Sequence, residues 1–388
     1  MNEALDKKAP AIVCAALLLL GCSSERDAGT GGTGSGGGGS HALGGSSGAT
    51  GGGGMSYGGS SGASGAAGTL ASGGTSGGSA GTVGSAGITG SGGKGTAEPG
   101  DLVVDFADIK QKMDGFGASD RNSGTLSDAQ ADLLFSPTAG AGLSLLRVSI
   151  NPSGEDSTAY TNATKAAAYG VKIWGAPWTP PADWKDNCSR QNGGHLCASA
   201  AQNGGCQCTG SHYDDWASEL AGFAAVMKSN AGVDVYAVSV QNEPDYTAGY
   251  DSCIYTNAEM TNFVNVLGPK LAALNPAPKL MISDTSGWNA VWSYYDAALA
   301  DATAAGYIGV LATHQYFLDD PPGHEVPAGK PLWQTEVSSF EGYDGGIGNG
   351  LKVAHWIHNA IVHADVSAWH YWELINTSDN QGVYNGTS

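Results

Sequence analysis

The chain has 388 residues, including 62 glycines, and a formal net charge of −19. Thirty-two of the glycines fall within residues 29–100, a segment with almost no apolar side chains to offset the entropy lost on ordering, so we predict a disordered Gly/Ser-rich tether over residues 23–100. Residues 101–388 remain for one folded domain with a net charge of −18, and that acidity excludes nucleic acid and anionic lipid headgroups as partners. A neutral polysaccharide is a partner that this negative charge would not repel.

The N-terminal segment is predicted to be an export signal. An apolar run at residues 10–20 follows two lysines and is too short to span a bilayer, which needs about 20 residues. The run ends in Leu-Leu-Gly-Cys, which resembles a bacterial lipobox with Cys22 as the lipidated residue. We therefore expect residues 1–22 to be a lipoprotein signal peptide, and the protein to be exported and held at the outer membrane or cell surface only by its lipid anchor. An ordinary cleaved signal and a secreted protein are the alternative.

Five cysteines lie in the folded part, and export favours disulfide bonds among them. Cys206 and Cys208 are too close in sequence for an easy mutual bridge, so each is expected to pair elsewhere, with one of the five left over. The pairing stays open at this stage, and a zinc site is the alternative. The five are Cys188, Cys197, Cys206, Cys208 and Cys253.

Apolar runs alternate with amphipathic segments from residue 115 onward. Continuous apolar strands separated by helices are typical of a parallel sheet covered by helices, and eight such strands predict an α/β fold, the (β/α)₈ TIM barrel. A doubly wound open sheet would need a G-x-G-x-x-G turn after its first strand, which the sequence lacks. The predicted strands span residues 115–118, 144–150, 172–176, 236–241, 279–283, 310–315, 332–336 and 367–372. The predicted helices span residues 127–135, 162–169, 213–230, 257–274, 291–305 and 350–364.

Two carboxyl groups follow strands that face each other across the mouth of such a barrel. Glu243 comes directly after the predicted fourth strand and Glu336 ends the seventh. Carboxyl groups about 5–5.5 Å apart perform retaining glycoside hydrolysis, one as acid and then base, the other as nucleophile. Asn242 is placed to bind the sugar 2-hydroxyl, and Arg147 and Tyr316 are placed to hold Glu336 ionised.

Eight sequence motifs resemble glycoside hydrolase family 30 of clan A, over about residues 102–372. Six of them resemble the family as a whole: MDGFGAS (113–119), LRVSI (146–150), APWTPP (176–181), VSVQNEPD (238–245), THQY (313–316) and WQTEV (333–337). WIHNA (356–360) and WHYW (369–372) also resemble its bacterial endo-xylanase branch. The resemblance implies that Glu243 is the acid/base and Glu336 the nucleophile. It also implies that the sugar to be cleaved is bound by Arg147, Trp178, Asn242, Tyr316 and Trp372.

The sequence departs from that family in two places. The glucuronoxylan-specific branch carries, after its eighth strand, an arginine that pairs with the glucuronate side group. Residues 373–380 contain acidic residues and neither arginine nor lysine, so we do not expect strict dependence on glucuronate. The family also continues with an eighth helix and a β-sandwich, of which residues 101–112 resemble the first strand. If residues 101–388 are the whole folded part, they lack that helix and most of the sandwich, and we expect the barrel to be open between its first and eighth elements.

Seven tryptophans are candidate platforms for sugar stacking. Core packing is the favoured interpretation for two of them, Trp174 and Trp292, and a site role is favoured for Trp178 and Trp372. The full set is Trp174, Trp178, Trp184, Trp288, Trp292, Trp369 and Trp372. The cysteine-rich insertion at residues 187–211 follows the third strand and is expected to overhang the cleft.

These features together predict a surface-tethered retaining glycoside hydrolase, an endo-β-1,4-xylanase, that acts on a polysaccharide as a monomer without metal or cofactor. The alternatives are the family's β-1,6-glucanase, β-1,6-galactanase and glucosylceramidase-like activities. A lipoprotein that binds glycan without cleaving it is the alternative from another class.

Overall fold

The computed structural model describes residues 107–385, apart from 153, 155–156, 204–205, 318–320, 322, 328, 341–345 and 378–379. The predicted signal peptide with its Cys22 and the predicted tether lie outside these residues. Within them, no helix combines the length and the apolar composition needed to cross a membrane.

Eight parallel strands, β1 to β8, form a closed barrel in chain order. β1 and β8 are hydrogen-bonded neighbours, with Gly115 opposite Ala368 and Phe116 opposite Trp369. The predicted TIM barrel is therefore confirmed, and the expectation that it would be open between its first and eighth elements is wrong. The barrel strands are Gly115–Ser119, Leu145–Ile150, Lys172–Pro177, Val235–Ser239, Lys279–Thr285, Ile308–His314, Leu332–Glu336 and Ala368–Ile375. A short ninth strand, β9 (Gly382–Tyr384), pairs in parallel with the end of β8.

Seven α-helices, α1 to α7, connect the described strands. They are Asp128–Phe135, Ser157–Ala167, Tyr213–Ala231, Asn257–Ala272, Trp288–Ala300, Ala302–Tyr307 and Ile347–Ala364. The predicted single helix over 291–305 is two helices, because the Asp301 side chain accepts hydrogen bonds from the backbone of Thr303 and Ala304 and caps α6. Between β8 and residue 385 the described part of the chain contains no helix, and residues 107–112 form no strand.

Two apolar layers support the site. One lies between the helices and the outer face of the barrel, and the other fills the barrel interior with side chains such as Trp174 and Trp333, whose rings meet edge to face at 6.3 Å. His370 lies against both rings and accepts a hydrogen bond from Trp174 Nε1 at 3.1 Å. The guanidinium of Arg147 lies 5.2 Å from the Trp174 ring, so this layer forms the floor beneath the polar residues.

The insertion after β3 is held by two disulfide bonds. Cys188 pairs with Cys206 and Cys197 with Cys208, while Cys253 is a buried thiol. The prediction that Cys206 and Cys208 pair elsewhere and leave one cysteine over is confirmed, and the zinc alternative is wrong. The insertion also contains a small antiparallel hairpin of Ala201–Asn203 and Cys206–Cys208.

Candidate active site

The two predicted carboxyl groups meet at the carboxyl ends of the barrel strands. Glu336 is the last residue of β7, and Glu243 lies four residues beyond the end of β4. The backbone of Glu243 is left-handed, with φ of 48°, and its N–H donates to the carbonyl of Asp284 at 2.9 Å. Such backbone is unfavourable for a residue with a side chain, so the surrounding contacts hold the side chain in the cavity against local preference.

Glu336 is held by a cation and a phenol. Arg147 Nη1 donates to Glu336 Oε2, and Tyr316 Oη donates to Oε1 at 3.0 Å. The Nη2 atom of Arg147 donates to Asn242 Oδ1 at 2.5 Å. Arg147 is fully buried on β2 and therefore ties the nucleophile candidate to the residue beside Glu243.

Glu243 is held by an imidazole and a second phenol. His314 Nδ1 lies 3.1 Å from Glu243 Oε1, and Tyr250 Oη donates to Oε2 at 2.5 Å. One oxygen of Glu243, one of Glu336 and one ring nitrogen of His314 all lie within 4.8 Å of one another. The two carboxyl groups thus share His314.

Asp284 on β5 is the third carboxyl group of this network, and sequence reasoning missed it. It accepts from Arg147 at 3.2 Å and from the Thr335 hydroxyl at 2.5 Å, and His314 Nε2 lies 3.4 Å away. The predicted fifth strand ended one residue earlier, and an acidic residue just after a strand is more often in a loop. Tyr250 was missed as well, because it lies seven residues from Glu243 in a loop whose path the sequence does not reveal.

The charges of the network follow from burial and pairing. Burial favours neutral His314, but Glu336, Asp284 and Glu243 raise the pKa of His314 to about 10. Burial also opposes ionisation of Asp284, yet Arg147 and His314 lower the pKa of Asp284 to about 2. At neutral pH, His314 and Arg147 are therefore cations facing an ionised Asp284.

The two glutamates differ in the balance of these effects. Burial raises the pKa of Glu243, but hydrogen bonds from His314 and Tyr250 outweigh it and hold the pKa below its ordinary value. For Glu336, burial outweighs His314 and Arg147 and raises the pKa. Arg147 and Tyr316 make the expected contacts with Glu336, but they do not hold its pKa at or below the ordinary value, because burial raises it.

Glu243, His314 and Glu336 have the spacing of a metal-ligand cluster. A protonated imidazole offers no lone pair to a metal ion, and the raised pKa keeps His314 protonated. The guanidinium of Arg147 also forms an ion pair with the Glu336 carboxyl group, which would otherwise be a metal ligand. The charges present therefore do not suit a metal ion.

A cavity of about 780 Å³ opens above the carboxyl groups. Six of the seven predicted site residues line it, and Arg147 lies buried beneath them. The six are Trp178, Asn242, Glu243, Tyr316, Glu336 and Trp372. The rings of Trp178 and Trp372 lie 6.1 Å apart, so together they form an aromatic wall beside the carboxyl groups.

The other candidate tryptophans do not line this cavity. Trp174 is buried in the barrel interior, and Trp288, the first residue of α5, is fully buried between the helices and the barrel, so Trp288 is not a sugar platform. Trp184 stacks on His212, Trp292 stacks on His324, and Trp369 is buried. The described residues that line the cavity include none from 187–211, because that insertion packs instead along the loop after β4.

A closed (β/α)₈ barrel with buried carboxyl groups at its strand ends is the architecture of many glycoside hydrolases. A family model described as the glycosyl hydrolase family 30 TIM-barrel domain matches residues 118–333, and the chain belongs to that family.

Several relatives and solved structures are similar to the chain. Glucuronoxylanase XynC of Bacillus subtilis (strain 168) is 28% identical over 286 residues, which cover 71% of this chain and 63% of the relative. The solved family 30 subfamily 8 xylanase Xyn30A of Clostridium acetobutylicum is 31% identical with a TM-score of 0.59, over 71% of this chain and 67% of that one. The catalytic domain of the family 30 xylanase C of Talaromyces cellulolyticus is 25% identical with a TM-score of 0.60, over 70% of each chain. The chain thus spans under two thirds of the length of the curated relative.

Proposed function

We propose that the chain is a retaining endo-β-1,4-xylanase in which Glu243 is the acid/base and Glu336 the nucleophile. The observation that carries the mechanism is the separation of at most 4.8 Å between an oxygen of each carboxyl group. An inverting enzyme needs about 6.5–9.5 Å, because a water molecule must fit between the carboxylate and the sugar. The xylanase names of relatives that are 28% and 31% identical support xylan as the substrate.

The reaction would proceed in two steps through a covalent glycosyl-enzyme. Glu243 gives its proton to the glycosidic oxygen while a Glu336 oxygen bonds to the anomeric carbon, so that the leaving sugar departs as an alcohol. Glu243, now a carboxylate, then takes a proton from water, whose oxygen replaces Glu336 at the anomeric carbon. Two inversions give net retention.

The neighbours of the carboxyl groups fit these roles. Arg147 and Tyr316 fix both oxygens of Glu336, which orients the nucleophile. Because the Asn242 oxygen accepts from Arg147, its amide NH₂ is left to donate to the sugar 2-hydroxyl. Trp372 lines the cavity with a half-buried ring that can pack on the sugar, whereas Trp178 is 5% exposed and has the guanidinium groups of Arg121 and Arg147 4.3 and 4.7 Å from its ring.

The first step needs the proton on Glu243, whereas the pKa of Glu243 is lowered and that of Glu336 is raised. Two carboxyl groups that share His314 titrate as a pair, so a bound substrate can redistribute the proton. A glycosidic oxygen beside Glu243 accepts a hydrogen bond and favours its protonated form. Positive charge developing at the anomeric carbon favours ionised Glu336.

We also propose that the enzyme does not require glucuronate on its substrate. Lys352 is the one basic side chain among the described residues that line the cavity. Glu373, near the end of β8 and just before the loop that follows it, is buried and accepts from Asn122 and Asn376. This arrangement presents no counter-charge to a uronate in that loop.

The two disulfide bonds fit an exported protein. We propose that residues 1–22 are a lipoprotein signal, residues 23–100 a tether and residues 101–388 the catalytic domain. Lipidation at Cys22 would hold the enzyme at the cell surface; cleavage without lipidation would release it.

The test is sugar release from arabinoxylan, glucuronoxylan, β-1,6-glucan and β-1,6-galactan by the full chain. We expect release from both xylans, with the anomeric configuration retained by proton NMR. The variant Glu336→Gln should lose the activity, and Glu219→Gln, which changes an exposed glutamate of α3, should keep it. Release from a β-1,6-linked polymer alone would overturn the substrate assignment.

Azide distinguishes the roles of the two glutamates. In Glu243→Ala, azide should restore cleavage of an activated aryl xyloside and form a β-glycosyl azide, because the nucleophile is intact. No release from any polymer by folded wild-type protein would instead favour a glycan-binding protein.

A further inference from the structure

The loop between β4 and α4 brings a tyrosine to the proposed acid/base. Tyr250 is the seventh residue after Glu243, its side chain is 47% exposed, and its hydroxyl reaches back to Glu243 Oε2 at 2.5 Å. Tyr246 in the same loop packs instead on Phe317, with ring centroids 6.1 Å apart. Two tyrosines of one loop thus line the cavity, and Tyr250 is the one whose hydroxyl contacts the carboxyl group.

The disulfide-bonded insertion after β3 holds this loop on both sides of Tyr250. Before it, Asn192 N–H donates to the carbonyl of Ala248 at 2.9 Å. After it, Ser252 N–H donates to the carbonyl of Arg190 at 2.9 Å, and Arg190 Nη2 pairs with Asp251 Oδ2 at 2.5 Å.

Two further contacts hold the same loop, one from the insertion and one from the residues just before it. Gly193 N–H donates to the Ser252 hydroxyl at 2.9 Å, and the buried amine of Lys185, two residues before the insertion, donates to the Ser252 carbonyl at 2.5 Å. Cys188 joins this part of the insertion to Cys206. The position of the Tyr250 hydroxyl therefore depends on a segment that does not line the cavity.

We propose that Tyr250 is a positioning residue that sets the balance between the acid and base forms of Glu243, and that the disulfide-bonded insertion holds it there. The proposal rests on the assignment of Glu243 as the acid/base. A phenol that donates to a carboxylate favours the base form needed in the second step. In the first step the carboxyl group carries the proton, and the same phenol oxygen can accept.

The groups that face Glu243 come from five places in the barrel. Beside Tyr250 they are His314 on β6, Arg147 on β2, Glu336 on β7 and Asp284 on β5. Tyr250 itself is faced by Glu243, Glu336 and Tyr246, and burial together with these neighbours raises its pKa far above the ordinary value. Tyr250 therefore remains a neutral donor, and its replacement by phenylalanine leaves every other charge in place.

The first test is the pH dependence of kcat on xylan for Tyr250→Phe, because kcat reports ionisation in the enzyme–substrate complex, where the proton lies on Glu243. Activity is lost on the alkaline side as Glu243 loses its proton, so removal of the donor should move that limb upward by about one pH unit. Tyr246→Phe is the matched control and should leave the limb in place. An unmoved alkaline limb in Tyr250→Phe would overturn the proposal.

A second measurement does not depend on activity. Side-chain ¹³C NMR of glutamate-labelled protein, with Glu243→Gln to assign the resonance, follows the titration of Glu243 directly. Tyr250→Phe should raise the pH at the midpoint of the Glu243 titration. If wild type cleaves no glycan but the midpoint rises, the proposed function fails and the coupling between Tyr250 and Glu243 stands; an unchanged midpoint refutes the coupling.

The part played by the insertion is tested with Arg190→Gln. Loss of the pair with Asp251 should move the alkaline limb in the same direction as Tyr250→Phe and by less. Lys228 lies near the C-terminal end of α3 and forms an exposed ion pair with Asp234. Lys228→Gln, which breaks that pair, should leave the alkaline limb in place. A shift in Tyr250→Phe without one in either Arg190→Gln or the double variant Cys188→Ser/Cys206→Ser would show that the insertion does not hold Tyr250.

Discussion

Arg147 and Asp284 form an ion pair across the barrel, from β2 to β5, with Nη2 and Oδ2 3.2 Å apart and side chains 1% and 0% exposed. Neither side chain is exposed to solvent, so each charge depends on the other and on the polar groups around them. Asp284 also contacts Thr335 and His314, and Arg147 also contacts Glu336. The pair is therefore the centre of a network that orients both proposed catalytic glutamates.

Removal of one partner of this pair should destabilise the fold. Asp284→Asn leaves Arg147 buried with one fewer anion, and such losses lower the free energy of unfolding by about 3–5 kcal/mol. Urea denaturation at pH 7 measures it, and Lys228→Gln is the exposed-pair control, with little expected change. A loss as small as that of the control would show that the pair contributes little to stability.

His370 should make the fold sensitive to mild acid. Burial lowers the pKa of His370 to about 4 from 6.5, so between those values the unfolded chain binds a proton that the folded chain does not. The stabilisation is present above pH 6.5 and is lost as pH falls, by about 3 kcal/mol at pH 4.

The comparison with His370→Gln isolates this contribution. Glutamine can accept from Trp174 and donate to the Gln334 carbonyl, which are the partners of the histidine. The free energy of unfolding should then fall less steeply between pH 6.5 and 4. Equal slopes in the two proteins would contradict the assignment.

Gly117 on β1 should tolerate no side chain. A Cβ there would lie 2.5 Å from the Leu145 carbonyl oxygen and 2.6 Å from His370 Cδ2, inside van der Waals contact with backbone and with a buried ring. We expect Gly117→Ala to lower the free energy of unfolding by about 1–3 kcal/mol. Gly222→Ala in α3, where the space is open, should raise it by about 1 kcal/mol. Thermal denaturation of the two variants should therefore give shifts of opposite sign.

Tyr316 should contribute to turnover rather than to folding. Its hydroxyl donates to Glu336 Oε1 at 3.0 Å, and a hydrogen bond to a charged group contributes about 1.5–3 kcal/mol, so its loss from the reacting geometry should lower kcat roughly 10- to 100-fold. Tyr316→Phe should therefore reduce kcat on xylan while circular dichroism stays native. Tyr169→Phe, on the surface, is the control. Unchanged turnover in Tyr316→Phe would remove it from the mechanism.

The eight barrel strands could be predicted within a few residues, because strands buried on both faces are continuous apolar runs. The two glutamates could be predicted as a pair because their strands lie opposite each other in that fold. The closure of β1 on β8 could not be predicted, because it joins residues about 250 positions apart and depends on the whole barrel. Asp284 and Tyr250 were missed for a related reason: a single polar residue beyond a strand carries no local signal of what it contacts.

The backbone around the site has a consequence for how this protein would respond to selection. Glu243, Ser283 and Asp284 have φ of 48°, 75° and 47°, a region where glycine is relaxed and other residues are not. In a saturation library at position 243, sorting for expression level should enrich glycine and asparagine. Sorting for sugar release should retain glutamate alone. If selection for sugar release ended, Glu243 would therefore be replaced early, while the barrel fold would be kept.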